Sequence, residues 1–270
     1  MRAAGTIGRA TVALVTRPGD AGQRLSGSLR DLGLNALWWP AFDLLAPEEV
    51  EPLQALLRRL SEFDLTVFVS PAAVRGLAAL DLGGPWPAGT SIAAPGAGTL
   101  QLARSLLPGA ASARAVGLDA GKPAPGAPQS GSEALWEALQ RGRSVPRQAL
   151  IVRAEAGREW LGERLREAGC RVEYASVYRR VVHIPSREQR AALAACRGAG
   201  ERAVSVLTSS EAVAALDRQL ADAPDARAWL RQGLALCSHP RIAQALRCAG
   251  YAEVRECEAS ASAVLGAIAR

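Results

Sequence analysis

The stretch Ala13-Leu14-Val15-Thr16-Arg17, an apolar run closed by an arginine, returns in the second half of the chain as Ala149-Leu150-Ile151-Val152-Arg153. Leu25, Leu29-Arg30 and Gly33 follow the first copy; Leu161, Leu165-Arg166 and Gly169 follow the second. These positions match at one constant shift with no gap. A second pair comes at nearly the same shift: Val67-Phe68-Val69-Ser70 leads into Ala73-Val74 and Leu77, and Val206-Leu207-Thr208-Ser209 leads into Ala212-Val213 and Leu216. A looser third pair sets Ser91-Ile92-Ala93-Ala94 beside Leu234-Ala235-Leu236-Cys237. Matches that keep their order mark an internal repeat.

Each copy reads as a short apolar run, a polar residue at the turn, and then a helical apolar period. Strand and helix alternate through both halves, which predicts α/β architecture with parallel sheets and right-handed crossovers. Capping boxes are expected at Ser130 with Glu133 and at Ser186 with Gln189. Gly33, Gly169 and Gly250 mark helix stops. Gly117 to Gly131, rich in Gly, Pro and Ala, reads as an exposed loop. Two stretches, Leu34 to Leu45 and Cys170 to Ile184, lack a helical period and exceed an ordinary strand of about five or six residues. They predict a pair of linkers between two domains, with a cleft between them.

The chain is 270 residues long, 49% hydrophobic and 21% charged, an ordinary globular composition. With aromatics at 4%, the core must be built from Ala, Leu and Val. No run reaches the ~18–20 apolar residues of a membrane span, and no signal peptide is visible. Five cysteines with no CxxC pair predict free buried thiols in a reducing compartment, hence a cytoplasmic protein. The formal charge is +6, and Lys122 is the only lysine among the basic residues. Arginine forks suit carboxylate or phosphate, although a GC-rich genome would also encode many arginines. The cations are scattered, with no basic block or aromatic-interleaved stripe, so no nucleic-acid partner is expected.

In parallel sheets, ligands bind beyond the carboxyl ends of the strands, near helix N-termini. Arg17-Pro18, Ser70-Pro71, Gly96 to Thr99, Arg153 to Arg158, Thr208-Ser209-Ser210 and Ser238-His239-Pro240 fall there. Hydroxyls, glycines and arginines with few carboxylates suit an acidic ligand held on amides and guanidinium groups. The bland readings stand beside this one. Gly96-Ala97-Gly98 lacks the third glycine of a dinucleotide loop, because Gln101 holds that position. Ser70, Ser209 and Ser210 sit where N-caps belong. His183 and His239 have no cluster at metal-ligand spacing. Tyr178 ends the second long stretch, either as an ordinary half-buried strand tyrosine or as a phenol facing the interdomain space.

Several of these motifs, taken in order, resemble the uroporphyrinogen-III synthase family. They are Val15 to Pro18, Phe68 to Val74, the glycine turn ending at Thr99, Ser132-Glu133-Ala134-Leu135, and the block Arg153…Gly157-Arg158-Glu159…Leu161…Leu165…Gly169. Val177-Tyr178, Thr208-Ser209-Ser210 and His239-Pro240-Arg241-Ile242-Ala243 complete the set. The resemblance implies two flavodoxin-like domains joined by a two-stranded linker, with residues 1–38 and 182–270 forming a discontinuous domain and 42–178 an inserted one. It also implies cyclisation of hydroxymethylbilane to uroporphyrinogen III, with loss of water and inversion of the last pyrrole ring. No metal or organic cofactor is expected. The implied catalytic residue is Tyr178; the implied substrate-binding residues are Arg17, Ser70, Gly96, Thr99, Arg158, Ser209 and Ser210. Arg241-Ile242 departs from the hydroxyl pair of many relatives, so no hydroxyl role transfers there. The implied state is a monomer in transient contact with the enzyme that supplies hydroxymethylbilane. A non-catalytic two-domain binding protein for an acidic metabolite or tetrapyrrole is the alternative from another class. A nucleotide-dependent oxidoreductase is a third reading, disfavoured by Gln101.

Overall fold

Every residue of Thr11-Val12-Ala13-Leu14-Val15 is buried, so this strand must be covered on both faces, as in a parallel sheet with helices on each side. The computed structural model, which describes residues 10–80, 82–116, 131–141 and 145–270, has that arrangement. The chain begins with β1 (Thr11–Val15), α1 (Gly19–Asp31), β2 (Asn35–Trp38), β3 (Phe42–Leu45) and α2 (Glu51–Leu57). It continues through β4 (Leu65–Phe68), α3 (Pro71–Ala78), β5 (Ser91–Ala93), α4 (Ala97–Leu106), β6 (Ala115–Val116) and α5 (Ser132–Arg141). Next come β7 (Gln148–Ala154), α6 (Trp160–Glu167), β8 (Arg171–Val182) and α7 (Arg187–Gly198). The last elements are β9 (Arg202–Leu207), α8 (Ser210–Gln219), α9 (Pro224–Gln232), β10 (Leu234–Cys237), α10 (Pro240–Cys248), β11 (Glu253–Glu256) and α11 (Ala261–Ile268). The expected loop at Gly117 to Gly131 falls, Gly131 apart, outside the described residues, as does the cap at Ser130.

The chain divides into two units, Met1–Asp43 with Val181–Arg270, and Leu44–Arg180. The first holds a parallel sheet in the order β11-β10-β9-β1-β2. The second is built on the order β3-β8-β7-β4-β5-β6, parallel from β8 to β6. The opening strand of each repeat thus pairs with strands of the other repeat. Alternation sorts the side chains: Ala13 and Val15 pack with Leu25, Leu29 and Val264 on one face, while Leu14 packs with Trp39, Leu193 and Leu216 on the other. In the second unit Leu150 and Val152 join Val74 and Leu77, and Ala149 and Ile151 join Leu161 and Leu165.

The turn chemistry is local. Ser186 and Gln189 form the expected capping box of α7, and Gly33, Gly169 and Gly250 all have positive φ just after their helices. The stretch Leu34 to Leu45, expected as one extended piece, is two strands. The Trp39 N–H donates to Val15 O (2.9 Å) and the Ala41 N–H to Thr16 O (2.9 Å), but Pro40 between them has no N–H to offer. Gly76 on α3 fits because it lacks a side chain: an added Cβ would lie 2.7 Å from Val177 O on β8. All five cysteines are free, but not all are buried; Cys248 is exposed and Cys257 half-buried. Burial, with help from the Asp64 charge, pushes the Cys170 thiol up to about 11.

One buried amide fastens the first unit where the chain leaves and re-enters it. Gln219, 5% exposed, accepts from Trp39 Nε1 at 2.8 Å. Its Nε2 donates to Pro40 O and to His183 O, each at 2.9 Å. Gln219→Leu would strand these groups at about 1–3 kcal/mol each. A denaturant titration of this variant is expected to show a loss of at least about 3 kcal/mol; an unchanged midpoint would mean that packing alone holds the crossing.

Candidate active site

The carboxyl ends of β8, β7, β4 and β5 stand side by side in the second unit, and each delivers one of the expected residues or a neighbour of it. Ser70 follows β4 as the N-cap of α3, its Oγ accepting from Ala73 N–H at 3.1 Å. Gly96 precedes α4, and its carbonyl accepts from Thr99 N–H at 3.1 Å. Thr99 is buried at 8% exposure, one turn into that helix. The capping reading of Ser70 holds, and the same hydroxyl lies 3.3 Å from the Tyr178 phenol oxygen.

Tyr178 reaches Ser70 because β8 is irregular. Ser176 pairs with Arg153 and Tyr178 with Ala154, so Val177 is one residue extra on its strand. A bulge of this kind turns the following side chain. Strict alternation would put Val177 and Tyr178 on opposite faces. Instead both pack against the cluster that contains Val74 and Leu77.

A cavity of about 180 Å³ opens beside the phenol, lined among others by Ser132, Arg153, Arg158, Tyr174, Tyr178 and Arg180. Arg158, 40% exposed, donates to Glu133 at 2.5 Å and lies 5.0 Å over the Trp160 ring. Arg153 is 6% exposed, 3.7 Å from Glu159 and 5.0 Å over the Tyr174 ring. Tyr174 fits over α6 because position 162 is glycine; an added Cβ there would lie 2.0 Å from the phenol oxygen. Two carboxylates, Glu133 and Glu159, partner these arginines. Arg180, Tyr174 and Glu133 were not singled out from the sequence as site residues, and Arg153 was placed only among the strand-end residues. For Arg153 a signal existed, since it matches Arg17 in the repeat.

Arg17, Ser209 and Ser210 belong to the first unit, at the ends of the adjacent strands β1 and β9. Ser209 caps α8 through Ala212 N–H at 3.2 Å, and Ser210 is the exposed first residue of that helix. Burial lowers the pKa of the Arg17 guanidinium, and the nearby Arg24 charge adds to the effect. Among the described residues no carboxylate pairs with Arg17, which leaves a desolvated cation suited to an anion. His239, after β10, accepts from Arg241 N–H at 3.2 Å as the cap of α10. Among the described residues, no three His, Cys, Asp or Glu side chains gather as metal ligands, and no helix is long and apolar enough to cross a membrane.

The family model for uroporphyrinogen-III synthase HemD matches residues 23–263. A uroporphyrinogen-III synthase from Salmonella typhimurium is 32% identical over 170 residues, spanning 62% of this chain and 64% of that protein's length. Among solved structures, a mutant uroporphyrinogen III synthase from the extremely thermophilic bacterium Thermus thermophilus shares the fold at a TM-score of 0.57 and 22% identity, over 97% of this chain and 98% of that one. A uroporphyrinogen-III synthetase from Helicobacter pylori does so at a TM-score of 0.54 and 14% identity, over 95% and 97%. Matched by the family model over most of its length, the chain belongs to the uroporphyrinogen-III synthase family.

Proposed function

We propose that this chain is a hydro-lyase that cyclises hydroxymethylbilane to uroporphyrinogen III. The observation that carries the reading is Tyr178: a phenol, hydrogen-bonded to the cap of α3, at an arginine-lined cavity in a chain of this family. Tyr178 donates a proton or hydrogen bond to the departing hydroxyl, which leaves as water. The resulting azafulvene attacks the substituted carbon of the last ring. A spiro intermediate forms; the bond that had joined this carbon to the methylene of the neighbouring ring then breaks, leaving a second azafulvene there. The last ring turns over, and its free α-carbon closes onto that methylene with release of its proton. The net change is the loss of one water. A cation this reactive needs steering more than strong acid or base.

The substrate's acetates and propionates call for cationic and amide donors. Arg158, the amides around Gly96 and Thr99 and the Ser70 hydroxyl supply them in one unit; Arg17 with Ser209 and Ser210 supplies them in the other. The free thiols support a cytoplasmic location. We further infer a cofactor-free monomer that meets the enzyme supplying hydroxymethylbilane only transiently.

Mixing the protein with hydroxymethylbilane and separating the product isomers tests the reading. Type III is expected in place of the spontaneous type I. Type I alone from folded protein would leave the non-catalytic tetrapyrrole-binding alternative.

Tyr178→Phe is expected to lower kcat, with KM and the thermal melt nearly unchanged. Acid assistance contributes ~10²–10⁴-fold, and the azafulvene forms readily in water, so the loss should lie near or below the bottom of that range. Wild-type kcat in a sound fold would make the phenol structural.

Arg158 and Glu133 should move KM in opposite directions. Arg158→Ala removes a charge-assisted contact of about 1.5–3 kcal/mol, so KM should rise roughly ten- to hundredfold. Glu133→Gln frees the guanidinium from a part-exposed ion pair, and KM should fall by about two- to fivefold. Equal KM values in both variants would make the pair a surface contact without a ligand.

A further inference from the structure

Arg153 is buried at the end of β7, and each of its three nitrogens faces a protein oxygen. Nε donates to Ala154 O at 3.1 Å and Nη2 to Gly157 O at 2.7 Å, while Nη1 lies 3.7 Å from the Glu159 carboxylate. The Tyr174 ring covers one face of the guanidinium at 5.0 Å. From β8, Arg180 Nη2 donates to Ala156 O at 3.2 Å. Three carbonyls within four residues of the loop are therefore turned onto guanidinium groups. That loop also holds Tyr178 directly, because Glu155 N–H donates to Tyr178 O at 2.9 Å. The register shift lies between Arg153 and Ala154, opposite Ser176 and Tyr178.

We propose that Arg153 is a positioning residue: it braces the end of β7 and the loop after it, and through the bulge opposite it sets where the Tyr178 phenol points. This rests on Tyr178 being the group that assists hydroxyl departure. In this role Arg153 acts through the loop and not on the substrate: Nε and Nη2 bond loop carbonyls and Nη1 lies beside Glu159. Lysine keeps the charge but lacks the fork that bonds two carbonyls at once.

A double-mutant cycle with hydroxymethylbilane as substrate tests this, reading kcat, KM, isomer ratio and melting temperature for Arg153→Lys, Tyr178→Phe and the double variant. Misplacing a reacting group by about 1 Å can cost up to ~10²-fold, and the expected result is a roughly tenfold lower kcat for Arg153→Lys with KM unchanged. In the Tyr178→Phe background the same substitution should lower kcat by less than about twofold, because residues acting as one unit are not additive. An unchanged kcat, a loss repeated in the Phe background, or a rise in KM alone would overturn the positioning role, the last by making Arg153 a direct ligand. If Arg153→Lys does not fold, Gly157→Ala decides. Its Cβ would stand 3.3 Å from Arg153 Nη2 and 3.9 Å from Arg180 Nη2, disturbing the brace without removing charge. A kcat loss confined to the tyrosine background is again expected, and a loss in both backgrounds or in neither overturns the proposal. Wild-type protein that makes only type I, or a Tyr178→Phe variant as fast as wild type, overturns the reading beneath it as well. Type III product with a slow Phe variant and additive losses defeats the positioning role alone.

Discussion

The side-chain amide of Gln219 is the fastening on which the chain's path depends. A protein whose chain leaves one unit and returns to it must fix both passages, and the backbone ladder there is interrupted at Pro40. Pro40 donates nothing. One amide meets the need from the end of α8, accepting from Trp39 and donating to Pro40 and His183. Near it, Gln189 extends the same logic: its Oε1 closes the cap of α7 by accepting from Ser186 N–H, and its Nε2 donates to Trp38 O. Buried networks of this kind are worth most when every member is satisfied.

Much of the fold was legible because the signals are local. An apolar run ending in a polar residue, followed by a helical period, names a βα unit wherever it occurs, and glycines at positive φ end the helices. The repeat supplied the order. What stayed hidden depends on pairing across the sheet. Nothing in Val177-Tyr178 announces an extra residue, because a bulge is a relation between β8 and β7. The break in Leu34 to Leu45 falls at Pro40, which has no N–H to carry a ladder through. Gln219 reads in sequence as one more polar residue late in a helix.

The site shows the same division. Ser70, Tyr178 and Arg158 were singled out from the sequence, yet the contact between Ser70 and Tyr178 and the pairing of Arg158 with Glu133 are tertiary. The matching arginines of the two repeats make the point most clearly. Arg153 is spent on its own loop, whereas Arg17, at the equivalent strand end, is desolvated and has no carboxylate partner among the described residues. A shared sequence position fixes where a side chain starts, and the neighbours decide whether it braces the backbone or waits for an anion.

The interleaving of the repeats sets the order in which the protein can form during synthesis. The second unit, Leu44–Arg180, is complete before the ribosome has made any of β9 to β11. Strand β1 emerges early, apolar from Val12 to Val15, yet Thr16 after its end bonds Val206, 190 positions later. At ribosomal rates of about 5–20 residues per second, that strand must wait on the order of 10–40 s for its partner. Throughout that interval β1 has at most β2 as a partner, and its other edge, with the amphipathic α1, is open to association with other chains. A chain stalled or truncated after the second unit would hold one folded body and one adhesive segment, a species for chaperones or proteases to remove.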